Sequence, residues 1–443
     1  MPRPTAAAAT TAEFKGCAEP LARPIKVVGM GSSGQDLLAQ VAAFPKPDDK
    51  LRTEQFEAQG GGNCGNALTA AARLGLHPTI VTKIGGDGVG DGILAEFARD
   101  GVDTRHVLRA PGAPSPFTYI IVDRQGGTRT CIHTPGEPMT QQEMTQELAA
   151  QVLEGAALVY FDGRLTEAAV VLAASARAAG VPVLVEAERL RPGLEQLLSM
   201  ADYVVSSAHF PQGWTGEQCL GDGLLATFSR LPRARWLVTT LGSRGSVLLE
   251  REAASEAASE VVLQDLVEQL LAQAAGDAAA ADAVPVCVSA GGVPIRTGGQ
   301  ASSGGAVTLR LQRGASETQR VLAAAAAAAA AEAAANADTG NAAGYPMGGS
   351  GGEGCSVPVA AAPQSCAARV TASTAAQLPD GAVVDTTGAG DAFIGSVVYG
   401  LATGMPVERA VQLAAVVAAC KCTALGPRPG LPRRANLAAS LLA

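Results

Sequence analysis

The chain has 443 residues, enough for one large or two ordinary domains, and a net charge of −8 at pH 7. This acidic balance argues against nucleic acid as a partner, and no apolar run has the length and composition of a membrane-spanning helix. Nine cysteines without a Cys-x-x-Cys pair favour reduced thiols over disulfides or a zinc site, which predicts a cytoplasmic protein and leaves a plastid or another organelle open.

The chain begins with a segment, residues 1–24, whose Ala/Thr/Pro-rich composition predicts a disordered tail. Residues 25–31 then read as the first strand of an α/β sheet, entering a glycine-rich loop. Asp36 follows this loop, and one interpretation is that it caps a short helix over 37–41. The next segment, 44–59, is polar and contains prolines.

A glycine-rich motif, Gly60-Gly61-Gly62-Asn63-Cys64-Gly65-Asn66, precedes a predicted helix that runs to residue 75. The glycines permit close approach of a ligand. Asn63 and Asn66 are three residues apart, so they lie on one helical face, and their amides both donate and accept hydrogen bonds. The motif therefore predicts a site that reads a pattern of hydroxyl groups.

Strands and helices then alternate regularly, which predicts right-handed crossovers and a mainly parallel sheet between two helical layers. A hairpin over 117–122 and 128–132 comes first. The alternating segments are strands 157–161, 182–185 and 203–205, with helices 167–179 and 194–200 between them. A further strand from 236 leads into a turn that contains Thr240, Gly242 and Gly245.

Residues 251–368 differ in character, with alanine runs and Gly/Ser stretches, and predict a low-complexity insertion. Within it, 261–272 has the spacing of an amphipathic helix and 307–311 alternates like a strand. A tolerated surface expansion and a partner-binding element are both open interpretations.

Near the C-terminus, Ala382–Val384 suits the end of a buried strand, and Gly388-Ala389-Gly390 forms a turn before a helix predicted over 391–401. Such a junction directs unpaired backbone N–H groups and the positive end of a helix dipole at one point, where an anion binds. Asp391 follows this turn directly. Its carboxylate is suited to take a proton from a hydroxyl group that attacks a bound phosphoryl group.

The stretch Asp385–Phe393, DTTGAGDAF, resembles the C-terminal signature of the ribokinase-like (pfkB) family of sugar and nucleoside kinases. The Gly-Gly-Asn motif is similar to the family's N-terminal signature, while 161–164, Glu186 and Ser207 resemble its ketohexokinase branch. The resemblance implies a three-layer α/β/α domain with a central, mainly parallel sheet and a small β lid. It places this kinase domain at 25–250 and 369–443, with lid elements about 44–60 and 116–133.

The resemblance also implies the roles of individual residues. Asp391 is the expected catalytic base, and the amides of Gly388, Ala389 and Gly390 form the anion hole. The expected substrate-binding residues are Asp36, Gly61, Gly62, Asn63, Asn66 and Asp162. The expected ATP-binding residues are Arg129, Thr240, Gly242, Gly245, Gly388 and Gly390. A solvated edge charge is the other interpretation of Arg129, and the carbonyls of Asp385 and Thr387 are candidate ligands of a monovalent cation.

The implied activity is ATP-dependent phosphorylation of a sugar hydroxymethyl group, with ATP and Mg²⁺ as cofactors and K⁺ left open. A ketose such as fructose is the leading substrate; ribose or an adenosine-type nucleoside is the alternative, and a non-catalytic scaffold is the second alternative. Many members carry Asn-x-x-Glu where this chain has Ser207 and Phe210, so the route of Mg²⁺ binding is open. By analogy with the family, we expect a homodimer.

Overall fold

The computed structural model describes residues 18–126, 128–253, 259–280, 284–311 and 365–442. The strands are β1 Lys26–Met30, β2 Gly34–Val41, β3 Gln55–Gly61, β4 His77–Gly85, β5 Asp103–Ala110, β6 Phe117–Asp123, β7 Thr128–Thr134, β8 Ala156–Phe161, β9 Val183–Ala187, β10 Tyr203–Ser206, β11 Trp236–Thr240, β12 Ser246–Arg251, β13 Glu260–Val262, β14 Cys287–Val288, β15 Pro294–Ile295, β16 Gln300–Ser302, β17 Val307–Arg310 and β18 Ser365–Ser373. The α-helices are α1 Asn63–Arg73, α2 Gly88–Asp100, α3 Gln146–Leu153, α4 Thr166–Ala178, α5 Leu194–Leu198, α6 Phe210–Thr215, α7 Leu220–Ser229, α8 Leu263–Ala280, α9 Ala389–Thr403, α10 Val407–Lys421 and α11 Ala439–Leu442.

The central sheet has the strand order β13-β17-β18-β12-β11-β10-β9-β8-β1-β4-β5, and β16 pairs with β18. The strands from β11 to β5 along this order pair in parallel, whereas β12 and β18 are antiparallel. Successive side chains of a strand point to opposite faces. Val28 accordingly packs in one core with α4 and α7, and Val27 in a second core with α1 and α9. The predicted three-layer fold is confirmed.

A second sheet, with the order β3-β2-β6-β7, forms the lid. Asp36 lies within strand β2, so the helix considered for 37–41 is wrong, and the lid begins at residue 34 rather than near 44. The reason is that buried and more exposed side chains alternate along this segment, as in a strand. Leu38 is buried on the inner face of the sheet against Ile120, Val122 and Leu425. The predicted hairpin of β6 and β7 is confirmed.

Residues 259–280 and 284–311 belong to the domain, and the prediction that it stops at residue 250 is wrong. Strand β17 pairs with β18 and β13 with β17, so both extend the central sheet. Helix α8 buries Leu263, Val267 and Leu270 in the same core as Val28. The predicted helix and strand of this segment are confirmed, while the alanine and Gly/Ser runs of 312–364 lie outside the described residues. The tail over 1–17 lies outside them as well. None of the described helices is long and apolar enough to cross a membrane.

Candidate active site

The glycine turn lies at the N-terminus of α9, where Gly388 is the N-cap with φ of 76°. A Cβ on Gly388 would lie 2.6 Å from the Pro427 side chain, so both conformation and space require glycine here. The amide of Ala389 donates to the Thr386 carbonyl at 3.2 Å. Among the described residues, the amides of Gly388 and Gly390 have no such acceptor. These two amides and the helix dipole therefore remain available to an anion.

The segment before the turn is not a strand, and the prediction of a buried strand end over 382–384 is wrong. Val383 and Val384 are 54% and 49% exposed. The backbone is held by the end of α10 instead, because the amide of Val384 donates to the Cys422 carbonyl at 2.8 Å. The turn is thus anchored to a helix C-terminus rather than to the sheet.

Asp391, the third residue of α9, is buried, and Asn66 of α1 donates a hydrogen bond from Nδ2 to its Oδ2 at 2.8 Å. Burial raises the pKa of Asp391 to about 7, because desolvation disfavours the charged form, while the Asn66 hydrogen bond opposes this rise. A carboxyl with a pKa near the working pH suits a general base. The structure therefore joins the two family-like signatures at one carboxylate.

Arg428 holds Asn66 in this orientation, and our sequence reasoning missed it. Its Nε donates to Asn66 Oδ1 at 3.1 Å, which leaves Nδ2 for Asp391. Arg428 is 3% exposed, and its guanidinium pairs with Glu96 Oε2 at 3.1 Å and lies 5.0 Å from the Phe97 ring centroid. An arginine between two prolines in the 424–430 loop was the available signal.

Asp36 lies on the inner side of the lid, buried, and close to Gly61. A Cβ on Gly61 would lie 2.2 Å from Asp36 Oδ1, so glycine at this position makes room for the carboxylate. Burial raises the pKa of Asp36 to about 6, while Arg428 and Thr118 lower it. Gly62, with φ of 84°, is the N-cap of α1, and a Cβ at this position would meet Ser33. The lid and the N-terminus of α1 thus meet at this carboxylate.

Glu186 and Tyr160 form a buried pair beside Asn63. The Tyr160 hydroxyl donates to Glu186 Oε2 at 2.7 Å, and Asn63 Nδ2 approaches Oε1 at 3.5 Å. Burial, followed by the charges of Asp391 and Asp162, raises the pKa of Glu186 well above its ordinary value. A protonated carboxyl here donates a hydrogen bond, whereas a carboxylate accepts two, so the cluster suits a ligand rich in hydroxyl groups.

The carboxylate of Asp162, in contrast, is already engaged by the protein. Its Oδ2 accepts hydrogen bonds from the amide and hydroxyl of Ser32, both at 2.7 Å, and its Oδ1 accepts from the Arg164 amide at 3.0 Å. The amide of Cys64 also approaches Oδ2 at 3.3 Å. These contacts tie the loop after β1 to the start of α1.

The residues predicted to bind ATP lie in two places. Thr240 ends β11, next to β10 at the edge where the parallel strands end, and Gly242 follows in a 3₁₀ turn. Gly245 has φ of 98° and would place a Cβ 1.8 Å from the Ser373 carbonyl oxygen, so its glycine is needed for chain packing. Arg129, on the lid, donates from Nη1 to Thr386 Oγ1 at 2.6 Å across a cleft of about 330 Å³, so it is not merely a solvated edge charge.

Ser207 and Phe210, where many family members carry Asn and Glu, supply no carboxylate ligand for Mg²⁺. The Ser207 hydroxyl donates to the Glu188 carbonyl at 2.8 Å, and Phe210 is buried in the core. No group of three or more His, Cys, Asp or Glu side chains that could hold a metal ion occurs in the described ranges. The Asp385 carbonyl does not fit a free monovalent-cation site, because it already accepts a hydrogen bond from Lys421 Nζ at 2.6 Å.

Comparison with known proteins agrees with this geometry. The model of the pfkB family of carbohydrate kinases matches residues 25–281 and 350–434. The ribokinase of Staphylococcus aureus (strain COL) is 28% identical over 228 residues, which are 50% of this chain and 74% of that protein. The fold is similar to that of the Arabidopsis thaliana ribokinase solved with ribose and ATP, with a TM-score of 0.56 and 16% identity over 95% of this chain and 98% of that one.

The ketohexokinase branch is supported less. The mouse ketohexokinase is 29% identical over 97 residues, only 22% of this chain and 33% of that protein. The prediction of that branch is therefore not confirmed, since matches to ribokinases cover more of the chain.

Proposed function

This chain belongs to the pfkB family of carbohydrate kinases, and within that family we propose that it transfers the γ-phosphoryl group of ATP to the hydroxymethyl group of ribose. The observation that carries the proposal is the buried Asp391, hydrogen-bonded to Asn66, beside the free amides of Gly388 and Gly390. This arrangement holds a base and an anion-binding turn at one point.

In the proposed reaction, Asp391 takes the proton of the hydroxymethyl group. The oxygen forms a bond to the γ-phosphorus while the bond from that phosphorus to the β,γ-bridging oxygen breaks, which releases ADP and the sugar phosphate. The amides of Gly388 and Gly390 stabilise the charge that develops on the transferring group. The proton stays on Asp391 until product release.

The substrate would bind between the lid and the start of α1. Asp36 offers two acceptor oxygens, and Asn63 and Asn66 lie on one face of the helix. Gly61 and Gly62 give the sugar close access to backbone groups. Asp162 has the weakest support among the substrate-binding predictions, because its oxygens are hydrogen-bonded within the protein.

The nucleotide would lie along the edge that carries Thr240 and the turn of Gly242 and Gly245, with Arg129 closing from the lid. Mg²⁺ binds through one or two carboxylates and substrate phosphates in most kinases. Since Phe210 has no side-chain oxygen and neither position carries the carboxylate that many family members have, we propose that the phosphates of ATP supply most of its ligands.

Ribose leads because the curated relatives that match half of the chain are ribokinases. Fructose is retained as the second candidate on one observation, the buried pair of Glu186 and Tyr160, since Glu186 belongs to the motif that resembles ketohexokinases. ADP release from MgATP should therefore be compared across ribose, fructose and adenosine.

Asp391→Asn tests the chemistry, and the exposed Asp265→Asn on α8 is the matched control. We expect turnover to fall by at least about a hundredfold in Asp391→Asn and to stay unchanged in Asp265→Asn, since loss of the base removes a general catalyst. Retained turnover in Asp391→Asn would contradict the assignment of the base. Wild type that binds ATP but turns over no substrate would favour the scaffold alternative.

The outer face of the lid supports a homodimer. Phe56, Tyr119 and Ile132 are exposed by 58%, 49% and 53%, and the strand register puts them on one face, opposite the buried Leu38 and Ile120. A second copy of the chain is the expected occupant, because the lid would otherwise present an apolar sheet face to water. In sedimentation experiments, wild type should be a dimer and Tyr119→Asp a monomer. A monomeric wild type would contradict the proposed homodimer.

A further inference from the structure

Lys421 is the last residue of α10 and is 0% exposed. Its Nζ donates a hydrogen bond to the main-chain carbonyl oxygen of Asp385 at 2.6 Å. A fully buried ammonium is costly unless nearby groups compensate its charge. A backbone oxygen is thus the direct partner of Lys421 among the described residues, and the Asp385 carboxylate acts on it by its charge.

Asp385 in turn holds the catalytic turn in shape. Its Oδ1 accepts hydrogen bonds from the amide of Thr387 at 2.9 Å and from its hydroxyl at 2.7 Å. Its Oδ2 accepts from the amide of Gly426 at 2.8 Å, in the loop that carries Arg428. Asp385, three positions before Gly388, therefore connects Lys421 through its carbonyl with the turn of Thr387 and the loop of Gly426 through its carboxylate.

The electrostatic surroundings of the Asp385 carbonyl favour a positive charge. The C-terminus of a helix carries partial negative charge on its last carbonyls, and Lys421 stands at that end of α10. The buried Asp385 carboxylate adds a full negative charge close by. A lysine ammonium is a compact monovalent cation with three donors, so it suits a position of this kind.

We propose that Lys421 serves as a built-in monovalent cation at the catalytic turn, so that this kinase needs no K⁺. The inference rests on the proposed function, since it assigns Lys421 as a positioning residue for phosphoryl transfer through Asp385. K⁺ and the ammonium would compete for the same Asp385 carbonyl, and the covalently attached cation is always present. Replacing Lys421 by alanine should open a space lined by carbonyl oxygen that an added cation fills.

The test compares turnover in a buffer whose only cation is tetramethylammonium with turnover after addition of KCl, NH₄Cl or LiCl. Wild type should change by less than about twofold, because its cation is covalent. Lys421→Ala should lose at least about tenfold without K⁺ and regain activity with K⁺ or NH₄⁺, but not with the smaller Li⁺. Lys421→Met, which removes the charge but leaves little space, should stay inactive in every salt.

Thermal unfolding supplies a readout that does not depend on turnover. The melting temperature of Lys421→Ala should rise with KCl more than with tetramethylammonium chloride, while that of wild type should respond equally to both. Lys83→Ala is the matched control, because Lys83, on β4, is also buried but forms an ion pair with Glu143 at 2.7 Å. This control should lose stability without gaining any response to K⁺.

Two results would overturn the inference: wild type that needs K⁺ for most of its turnover, or Lys421→Ala that keeps full activity without K⁺. If neither Lys421 variant folds, the K⁺ response of wild type still decides the question. Failure of the proposed function has a different signature, because wild type would then release no ADP with any sugar while the melting temperature of Lys421→Ala still responded to K⁺.

Discussion

Replacing Asn66 by alanine tests how the structure tunes Asp391, the proposed catalytic base. The Nδ2 of Asn66 donates to the ionised form of Asp391 at 2.8 Å, and this bond opposes the rise in pKa that burial causes. Removing the donor should therefore raise the pKa of Asp391 above its value of about 7. Because the base must be ionised, activity in Asn66→Ala should fall most at low pH and recover as the pH rises.

The size of this effect follows from the strength of the bond. A hydrogen bond to a charged group contributes about 1.5–3 kcal/mol, and 1.36 kcal/mol corresponds to one pH unit. The acid limb of the kcat profile should therefore move up by about one to two pH units. At neutral pH this corresponds to a loss of roughly five- to fiftyfold in kcat, with most of it regained in alkaline buffer.

The assay is kcat against pH at saturating sugar and MgATP, with Asn63→Ala as the matched control. Asn63 lies on the same face of α1 but contacts Glu186 at 3.5 Å, so its loss should raise KM without moving the limb. Asp36, whose pKa is about 6, should act on KM rather than kcat if it binds the sugar as proposed. A uniform loss of kcat at every pH in Asn66→Ala, with an unmoved midpoint, would refute the tuning of Asp391 by Asn66.

Two further predictions concern the turn and the boundary of the fold. Gly388 has φ of 76°, and a Cβ there would lie 2.6 Å from a proline, so Gly388→Ala should lower the free energy of unfolding by about 1–3 kcal/mol and kcat by at least about tenfold. A Cβ on Gly390 would meet nothing within 4 Å, so Gly390→Ala should keep most of the stability measured in denaturant titrations. Equal losses would contradict the conformational argument. Replacing 312–363 with a short glycine-rich turn should preserve ADP release and the melting temperature, because Arg310 and Ser365 are direct partners in the antiparallel pair of β17 and β18. Loss of ADP release together with a large fall in melting temperature would mean that the segment stabilises the domain.

Local chemistry made much of the fold readable from the sequence. The alternation of apolar strands with helices follows from the need to cover both faces of a parallel sheet, and it predicted β8 to β11 closely. The Gly388–Asp391 turn was likewise readable, because an anion-binding turn requires small residues and a helix start in adjacent positions. Composition misled at 259–280 and 284–311, where the sequence was taken for an insertion although its apolar side chains complete the core.

What only the tertiary structure decided are the contacts between segments far apart in sequence. Asn66 and Asp391 are separated by 325 positions, and Arg428 meets Asn66 across 362. No periodicity reports such a meeting, because it depends on which helices pack together on one face of the sheet. The same holds for Lys421 and Asp385: the sequence marked a carbonyl suited to a cation, and the packing of α10 under the turn supplied a lysine to it.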